Sequence, residues 1–328
     1  LVRWSQHESG RRPMKIAVLE PLGISDESLR GLLAKATEGH DAEVITYPDR
    51  KEDEAALIER SADADIVVVS NIKYPASVME KNPNLKYVCV AFTGYDHVDM
   101  AYCREHGIQV SNCAGYSTVA VADLTFGLVL DVLRNISTLN SIVRQGGTKD
   151  GLVGPELEGK RFGVIGAGAI GSRVMRIAQV FGCDVVCYSR TKKEIPGVQF
   201  VGLDELLKTS DVVSLHIPQT PETTGLISAE KIALMKPTAV LINCARGPVV
   251  DSEALAAALN EGRIAGAGID VLEMEPPFPA NHPLLNSKNT VVTPHVAFAS
   301  HQAMEKRAVI VAENVASYLA GSTKNLVS

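Results

Sequence analysis

Three glycines near the middle of the chain form a pattern that suits the binding of a dinucleotide. They lie in Gly166-x-Gly168-x-x-Gly171, directly after the apolar run 162–165 and before a helix-like pattern. The first glycine permits a tight turn, the second lets backbone approach a pyrophosphate, and the third lets a helix pack closely on a sheet. The N-terminus of that helix would offer N–H groups and a positive dipole end to the phosphates. This order predicts a dinucleotide site, although a glycine-rich turn without a ligand is the alternative for the motif alone.

A cation, a carboxylate and an imidazole follow three later strand candidates. Arg246, Glu275 and His295 each come a few residues after an apolar run. In open parallel sheets, ligands bind outside the carboxyl ends of the strands. Taken singly, the arginine could form a surface ion pair, the glutamate could be a solvated turn residue, and the histidine could be a hydrogen-bonded loop residue. Their shared placement after a dinucleotide motif instead favours one chemical site.

Two series of alternating strands and helices would position these side chains. Strand candidates of the first series are 15–19, 43–47, 65–69, 86–90 and 108–110, and those of the second are 161–165, 184–188, 211–215, 239–243, 265–270 and 290–292. Amphipathic stretches lie between the strands, which indicates βαβ units and parallel sheets. One long helical pattern, over residues 118–144, and a polar loop separate the two series.

We therefore predict an α/β protein with two Rossmann-like, doubly wound parallel-sheet domains and an active-site cleft between them. The helical pattern after residue 300 is expected to cross back, which makes the first domain discontinuous. The predicted domains are a flavodoxin-like substrate domain, 14–113 plus 298–328, and a dinucleotide-binding domain, 114–297. Residues 1–13 show no helix or strand period and are expected to be a disordered arm or a cloning remnant.

Composition narrows the class of protein. A chain of 328 residues with 46% hydrophobic and 21% charged residues is typical of about two globular domains. The net charge of −6 argues against nucleic acid or a membrane surface as main partner, and no apolar run approaches the ~20 residues that span a bilayer. The six cysteines include no Cys-x-x-Cys, which favours reduced thiols in a cytoplasmic protein. No metal site is expected, because Cys183 and Cys187 have no histidine nearby.

The chain resembles the D-isomer-specific 2-hydroxyacid dehydrogenases from Met14 almost to its C-terminus. Besides the glycine motif, the resemblance is carried by Leu215-His-Ile-Pro-Gln-Thr-Pro-Glu-Thr223, Ile242-Asn-x-Ala-Arg-Gly247 with Val250-Asp251, Asp270-Val-x-x-x-Glu-Pro276 and Thr293-Pro-His295. The stretches Thr93-Gly-Tyr-Asp-His-Val-Asp99 and Asn112-Cys-Ala-Gly-Tyr-Ser-Thr118 resemble the glycerate dehydrogenase, or hydroxypyruvate (glyoxylate) reductase, branch. The resemblance implies a homodimer formed through the cofactor domain and a small 2-oxo acid as substrate.

The resemblance also implies roles for single residues. His295 would be the general acid that protonates the carbonyl oxygen during reduction, and Glu275 would orient its imidazole and favour the charged form. Arg246 would bind the substrate carboxylate, for which its planar fork is better suited than a lysine. Residues expected to bind substrate are Asn71, Ile72, Thr93, Gly94, Arg246 and His295. Residues expected to contact the cofactor are Gly166, Gly168, Ala169, Ile170, Gly171, Ser189, Arg190, Thr191, His216, Pro218, Thr223, Cys244, Ala245, Arg246, Asp270, His295 and Ala297.

The end of the second strand of the cofactor domain favours NADP over NAD. A carboxylate there would bind the 2′-hydroxyl of the ribose and repel a 2′-phosphate. This chain instead has Ser189-Arg-Thr191, and no acid occurs until Glu194. These side chains offer donors and a charge to a phosphate. The alternative is that Arg190 stacks on adenine or points to solvent while NAD binds.

The leading functional hypothesis is a reductase of small 2-oxo acids such as hydroxypyruvate or glyoxylate. A dehydrogenase of D-lactate type is the nearest alternative. A cofactor-sensing corepressor-like protein is a second, because such proteins resemble this family and can keep the same Arg, Glu and His. Formate oxidation on the same scaffold is disfavoured, since that branch lacks a glutamate equivalent to Glu275.

Overall fold

The computed structural model describes residues 12–328 and divides the chain into two compact units. One comprises the chain up to Ser117 together with Ala299–Ser328, and the other is Thr118–Phe298. The boundaries predicted from the sequence are 113/114 and 297/298, and the units divide at 117/118 and 298/299. The expectation for residues 1–13 falls outside the described residues except at the last two positions, where Arg12 forms an ion pair with Asp65 at 2.9 Å.

The first unit contains a five-stranded sheet with the strand order β2-β1-β3-β4-β5, in which every pairing is parallel. Both β3 and β4 are buried along their whole lengths, as expected for parallel strands covered on both faces. The elements are β1 (Met14–Val18), α1 (Asp26–Ala36), β2 (Ala42–Thr46), α2 (Glu54–Ser61), β3 (Ile66–Val69), α3 (Ala76–Met79), β4 (Tyr87–Val90), α4 (Met100–Glu105) and β5 (Gln109–Asn112).

The second unit contains a seven-stranded parallel sheet with the order β12-β11-β10-β9-β6-β7-β8. Its elements are α5 (Thr118–Arg134), α6 (Ile136–Arg144), β6 (Arg161–Ile165), α7 (Ala169–Val180), β7 (Asp184–Tyr188), β8 (Val198–Phe200), α8 (Leu203–Thr209), β9 (Val212–Leu215), α9 (Ala229–Ile232), β10 (Val240–Asn243), α10 (Ser252–Asn260), β11 (Gly266–Ile269) and β12 (Thr290–Val292). The chain order reverses beside β6, so the glycine turn that follows β6 lies where a doubly wound sheet binds ligands.

The closing helix α11 (His301–Leu319) belongs to the first unit, where it packs on α1 and β4. Ser300 starts it, because its hydroxyl accepts the N–H of Ala303 at 3.1 Å. Near its other end Tyr318 stacks on Tyr87 with ring centroids 4.3 Å apart. The chain thus returns to the unit in which it began, and the predicted α/β class with two parallel-sheet domains is confirmed.

Two local features differ from the sequence-based expectation. The single helix predicted over 118–144 is wrong, since the chain breaks at Asn135, which has a left-handed φ of 53°. Asp131 accepts the N–H of Ser137 at 2.7 Å and so supplies an acceptor at the start of α6. The strand β8 was not predicted, because three residues are too few to show an apolar alternation.

No helix within residues 12–328 combines the length and the apolar character that a bilayer span requires. In the same described part of the chain, His, Cys, Asp and Glu side chains do not gather in groups of three or more that could hold a metal ion. Burial raises the pKa of Cys103, Cys183 and Cys187 to about 11 each, so these thiols stay protonated at neutral pH.

Candidate active site

The glycine turn after β6 is tight enough to exclude side chains at two of its three glycines. Gly166 has a φ of +108°, and a Cβ there would lie 2.2 Å from the carbonyl oxygen of His216. At Gly171 a Cβ would lie 1.9 Å from the carbonyl oxygen of Gly166. These contacts let α7 begin directly over the end of β6, as the motif predicts.

Gly168 is different, because it faces open space. A Cβ on it would meet no atom within 4 Å. It is the N-cap of α7, and no side chain caps that helix end. The first N–H groups of the helix therefore point toward a surface that backbone can reach without a side chain in the way. This geometry fits a pyrophosphate, with the exposed Ala169 and the partly buried Ile170 in the first turn beside it.

The loop after β9 is held by internal hydrogen bonds. The hydroxyl of Thr223 donates to the carbonyl of Pro218 at 2.7 Å and accepts the N–H of Thr220 at 2.8 Å. His216 contacts the Ser214 hydroxyl through Nε2 at 2.8 Å. Burial of the ring nitrogens lowers the pKa of His216 to about 3, so its imidazole is neutral at physiological pH.

The residues after β7 carry hydroxyl groups and a positive charge, as expected of an anion site. Arg190 and Thr191 are exposed, and Ser189 is partly buried. One carboxylate approaches them from another loop. The pKa of Glu222 is lowered, chiefly by a hydrogen bond from Thr220 and to a smaller extent by the charge of Arg190.

A buried asparagine shapes the turn that carries Arg246. Asn243 is the last residue of β10, and its amide donates to the carbonyl of Arg246 at 2.9 Å and accepts the N–H of Ala245 at 3.0 Å. Cys244 lies between Asn243 and Ala245. Burial raises the pKa of its thiol, which therefore stays protonated and contributes to packing. The Arg246 side chain is partly buried, and its Nη1 donates to the carbonyl of Ala245 at 2.9 Å.

The turn of Arg246 lies directly against the loop that leads to Glu275. A Cβ on Gly247 would lie 2.0 Å from the backbone carbonyl of Leu272, so only a glycine allows this approach. The structure thus brings the segment after β10 next to the segment after β11, as the shared strand-end placement predicted.

His295 and Glu275 form a direct pair. The two carboxylate oxygens lie 2.8 and 2.9 Å from His295 Nδ1. The His295 side chain is 11% exposed and that of Glu275 is 39% exposed. A carboxylate on Nδ1 fixes the orientation of the ring, keeps a proton on that nitrogen and turns Nε2 the other way. This arrangement can move a proton at Nε2.

Asp270 holds the loop of His295 in shape. One carboxylate oxygen accepts the Thr293 hydroxyl at 2.6 Å and the N–H of Val296 at 2.9 Å, and the other accepts the N–H of Ala297 at 2.9 Å. His295 has a left-handed φ of 52°, a conformation that costs about 1 kcal/mol or more for a residue with a side chain. The fully buried Asp270 sustains it. Asp270 stays a predicted cofactor contact, and both of its carboxylate oxygens accept hydrogen bonds from the protein.

The first unit holds the remaining predicted substrate residues in two loops, one after β3 and one after β4. In the first loop, Glu20 Oε1 accepts the N–H of Ser70 at 2.7 Å and of Ile72 at 3.2 Å. Ile72 is fully buried. Of the two residues predicted there, Asn71 rather than Ile72 is therefore the candidate donor to a ligand.

The second loop contains Thr93 and Gly94, both partly buried. The side-chain amide of Asn112 donates to the Thr93 carbonyl at 2.7 Å and fixes this loop to the end of β5. Sequence reasoning missed the supporting roles of Asn112, Asn243 and Glu20. A signal exists for all three, because each is a polar residue at, or within two residues of, the carboxyl end of a buried strand.

Comparison with known proteins gives the family. A family model described as D-isomer specific 2-hydroxyacid dehydrogenase, NAD binding domain, matches residues 126–297. A protein of Blautia hydrogenotrophica named hydroxypyruvate reductase is 37% identical over 331 residues, which cover 96% of this chain and 100% of that protein. The chain belongs to this family. A glyoxylate reductase of Thermofilum pendens is 42% identical over 272 residues, which cover 80% of each protein.

A solved structure shares the whole architecture of this D-isomer specific 2-hydroxyacid dehydrogenase. It is an acyclic imino acid reductase in complex with NADPH and D-Arg, with a TM-score of 0.86 and 34% identity over 96% of this chain and 100% of that one. The predicted family and the predicted enzyme class, an NAD(P)-dependent oxidoreductase acting on D-2-hydroxyacids and 2-oxo acids, are confirmed. The relatives carry names of the predicted branch.

Proposed function

We propose that this dehydrogenase reduces hydroxypyruvate and glyoxylate, with NADPH preferred over NADH. The observation that carries the proposal is the contact of Glu275 with His295 Nδ1, because it leaves the imidazole oriented to give a proton through Nε2. The names of the two relatives support this choice of substrate. The unit Thr118–Phe298 is the proposed cofactor domain, and the other unit is the proposed substrate domain.

Each proposed residue acts on a different part of the 2-oxo acid. Arg246 binds the carboxylate through two parallel N–H bonds and polarises the neighbouring keto group. When bound, the reduced nicotinamide supplies the hydride that adds to C2. His295 gives its Nε2 proton to the keto oxygen, and the imidazole becomes neutral. Glu275 stabilises the protonated imidazole before that transfer. In the reverse direction His295 takes the proton from the hydroxyl group.

The preference for NADPH rests on the residues after β7. Arg190 is exposed and follows a strand end that has no carboxylate, so it can pair with a 2′-phosphate. Glu222 acts against this, since its charge interacts with Arg190. NADH with Arg190 stacked on adenine is the alternative.

A panel of substrates tests the proposal directly. Hydroxypyruvate, glyoxylate and pyruvate are each reduced with NADPH and with NADH, and kcat/KM is compared. The first two substrates with NADPH should give the highest values. Pyruvate as the best substrate would identify an enzyme of D-lactate type. Cofactor binding without oxidation by any 2-oxo acid would support the corepressor-like alternative.

A single variant tests the cofactor choice. Arg190→Ala should lower kcat/KM for NADPH about tenfold and leave that for NADH nearly unchanged, because only NADPH has the 2′-phosphate. Lys193→Ala is the matched control, since it removes a nearby exposed cation that is not assigned to the phosphate. A wild-type preference for NADH would contradict the assignment.

The proposal also includes a cytoplasmic homodimer formed through the cofactor domain. That unit exposes apolar side chains on α5, α6, α7 and the loop after α6, namely Val119, Ile136, Val143, Val153 and Val180. Val119 and Val180 line one hollow of this surface, and contiguous exposed apolar side chains are typical of a protein interface. Sedimentation equilibrium should give twice the mass of the chain, and Val143→Glu should shift the protein toward the monomer.

A further inference from the structure

We infer that Arg307 is a positioning residue for the substrate, because it ties together the two loops of the first unit that are predicted to bind the 2-oxo acid. This inference rests on the proposed function. Arg307 lies on α11, far along the chain from both loops, and belongs to none of the motifs that identify the family. Its side chain is buried, with the residue only 3% exposed.

The contacts of Arg307 reach both loops from behind. Its Nη1 donates to the hydroxyl of Ser70 at 3.0 Å and also lies 3.4 Å from the carbonyl oxygen of Ala91. Ser70 directly precedes Asn71 in the loop after β3. Ala91 opens the loop after β4, which continues to Thr93 and Gly94. One guanidinium therefore sets the separation of the two loops.

A buried carboxylate completes the support. Glu20 is 3% exposed, accepts the N–H of Ser70 and Ile72, and forms an ion pair with Arg50. Arg50 also donates to the side chain of Asn71 at 2.6 Å. Ser70 is thus held at its N–H by Glu20 and at its hydroxyl by Arg307. The backbone of this loop is fixed from two sides by charged groups.

Packing alone does not call for an arginine at this position. The buried face of α11 is otherwise mainly apolar, with Met304, Ala308 and Val311 on the adjacent turns. Burying a cation is unfavourable unless its donors are satisfied, and an apolar side chain would fill this stripe without that cost. Nη1 of Arg307 is directed at two loop oxygens, and the guanidinium lies 5.7 Å from the centre of the Tyr116 ring. The arrangement is that of a residue supporting a site.

This role predicts which kinetic constant changes. Arg307 does not belong to the unit that carries Arg246, Glu275 and His295. Loosening the two loops should weaken the binding of the 2-oxo acid and change the proton transfer little. Arg307→Met should raise KM for glyoxylate about tenfold, the effect of losing a charged hydrogen-bond donor. The expected kcat stays within about threefold, and the dissociation constant of NADPH is unchanged.

Arg307→Lys tests the reach of the guanidinium, because Nη1 makes both loop contacts. A lysine keeps the charge, but its nitrogen ends one bond short of Nη1, so its KM should lie between those of the wild type and Arg307→Met. Ser70→Ala removes only the hydroxyl that accepts from Arg307. This smaller change should raise KM about threefold, and it keeps the inference testable if the arginine variants fail to fold.

Asn82→Ala is the matched control for lost stability. Asn82 is also buried in the first unit, but it donates to the carbonyls of Ser61 and Ala64, before β3 begins. It should lower Tm and leave KM unchanged. An unchanged KM in folded Arg307→Met and Ser70→Ala, or an equal rise of KM in Asn82→Ala, would overturn the inference. A wild type that reduces no 2-oxo acid would instead refute the proposed function.

Discussion

Two histidine–glutamate pairs lie on one stretch of the second unit, and we propose a catalytic role for only one of them. His282 meets Glu273 through Nε2 at 3.1 Å, and His295 meets Glu275 through Nδ1 at 2.8 Å. The histidines are similarly buried, at 6% and 11% side-chain exposure, and the glutamates are similarly exposed, at 36% and 39%. Residue types, distances and burial therefore do not separate the two pairs.

The two pairs differ in which ring nitrogen meets the carboxylate and in the backbone conformation of the histidine. In His282, Nδ1 accepts the N–H of Leu284 at 3.3 Å, so both nitrogens serve the protein. Burial alone would raise the pKa of Glu273, but hydrogen bonds from Ser252 and His282 outweigh it and lower that pKa. His295 meets its carboxylate through Nδ1 and has a left-handed φ of 52°. A strained backbone sustained by surrounding bonds is typical of functional residues.

The largest expected effect separates the two histidines in catalysis. His295→Ala should lower kcat about a thousandfold, since it removes the proposed general acid, and should leave NADPH affinity nearly intact. His282→Ala, the matched control, should keep kcat within a few-fold. The measurements are steady-state reduction of glyoxylate and cofactor titration by fluorescence. Equal losses of kcat in the two variants would show that the pairs are equivalent.

The second effect separates the two glutamates in catalysis. Glu275→Gln replaces the carboxylate that meets Nδ1 of the proposed general acid by a neutral amide, so kcat for glyoxylate should fall about tenfold or more. Glu273→Gln, the matched control, should keep kcat within a few-fold. Steady-state reduction of glyoxylate measures both variants. An unchanged kcat in Glu275→Gln would contradict the proposed role of Glu275.

The sequence was sufficient for the fold and for the motifs, because apolar strands and glycine spacing are local signals. It could not say which glutamate pairs with which histidine. Glu273 and Glu275 are two positions apart, so only the fold decides their directions, and the family resemblance alone pointed to Glu275. Nor could it place Glu20 on the amide of Ser70, since the two residues are 50 positions apart. Long-range contacts of buried polar groups do not change the hydrophobic periodicity of the sequence, so they cannot be predicted from it.

A smaller effect separates the pairs in stability. His282→Ala leaves the N–H of Leu284 and the carboxylate of Glu273 without this partner, which should lower the free energy of unfolding by about 1–3 kcal/mol. His295→Ala should cost less, because the Glu275 carboxylate that it leaves is 39% exposed and can be solvated, whereas Leu284 is buried. Urea unfolding of both variants measures the difference. A larger loss of unfolding free energy in His295→Ala would show that the His295 pair, and not the His282 pair, contributes more to stability.

The smallest effect concerns His216, a third histidine of the same unit whose Nε2 meets a serine hydroxyl instead of a carboxylate. Burial lowers its pKa from 6.5 to about 3. Between these values the unfolded chain binds a proton that the folded protein does not, so the free energy of unfolding falls as the pH falls. His216→Gln cannot bind that proton and should lose about 1 kcal/mol less than the wild type between pH 7.5 and 5.8. The same pH dependence in His216→Gln would mean that other groups account for it.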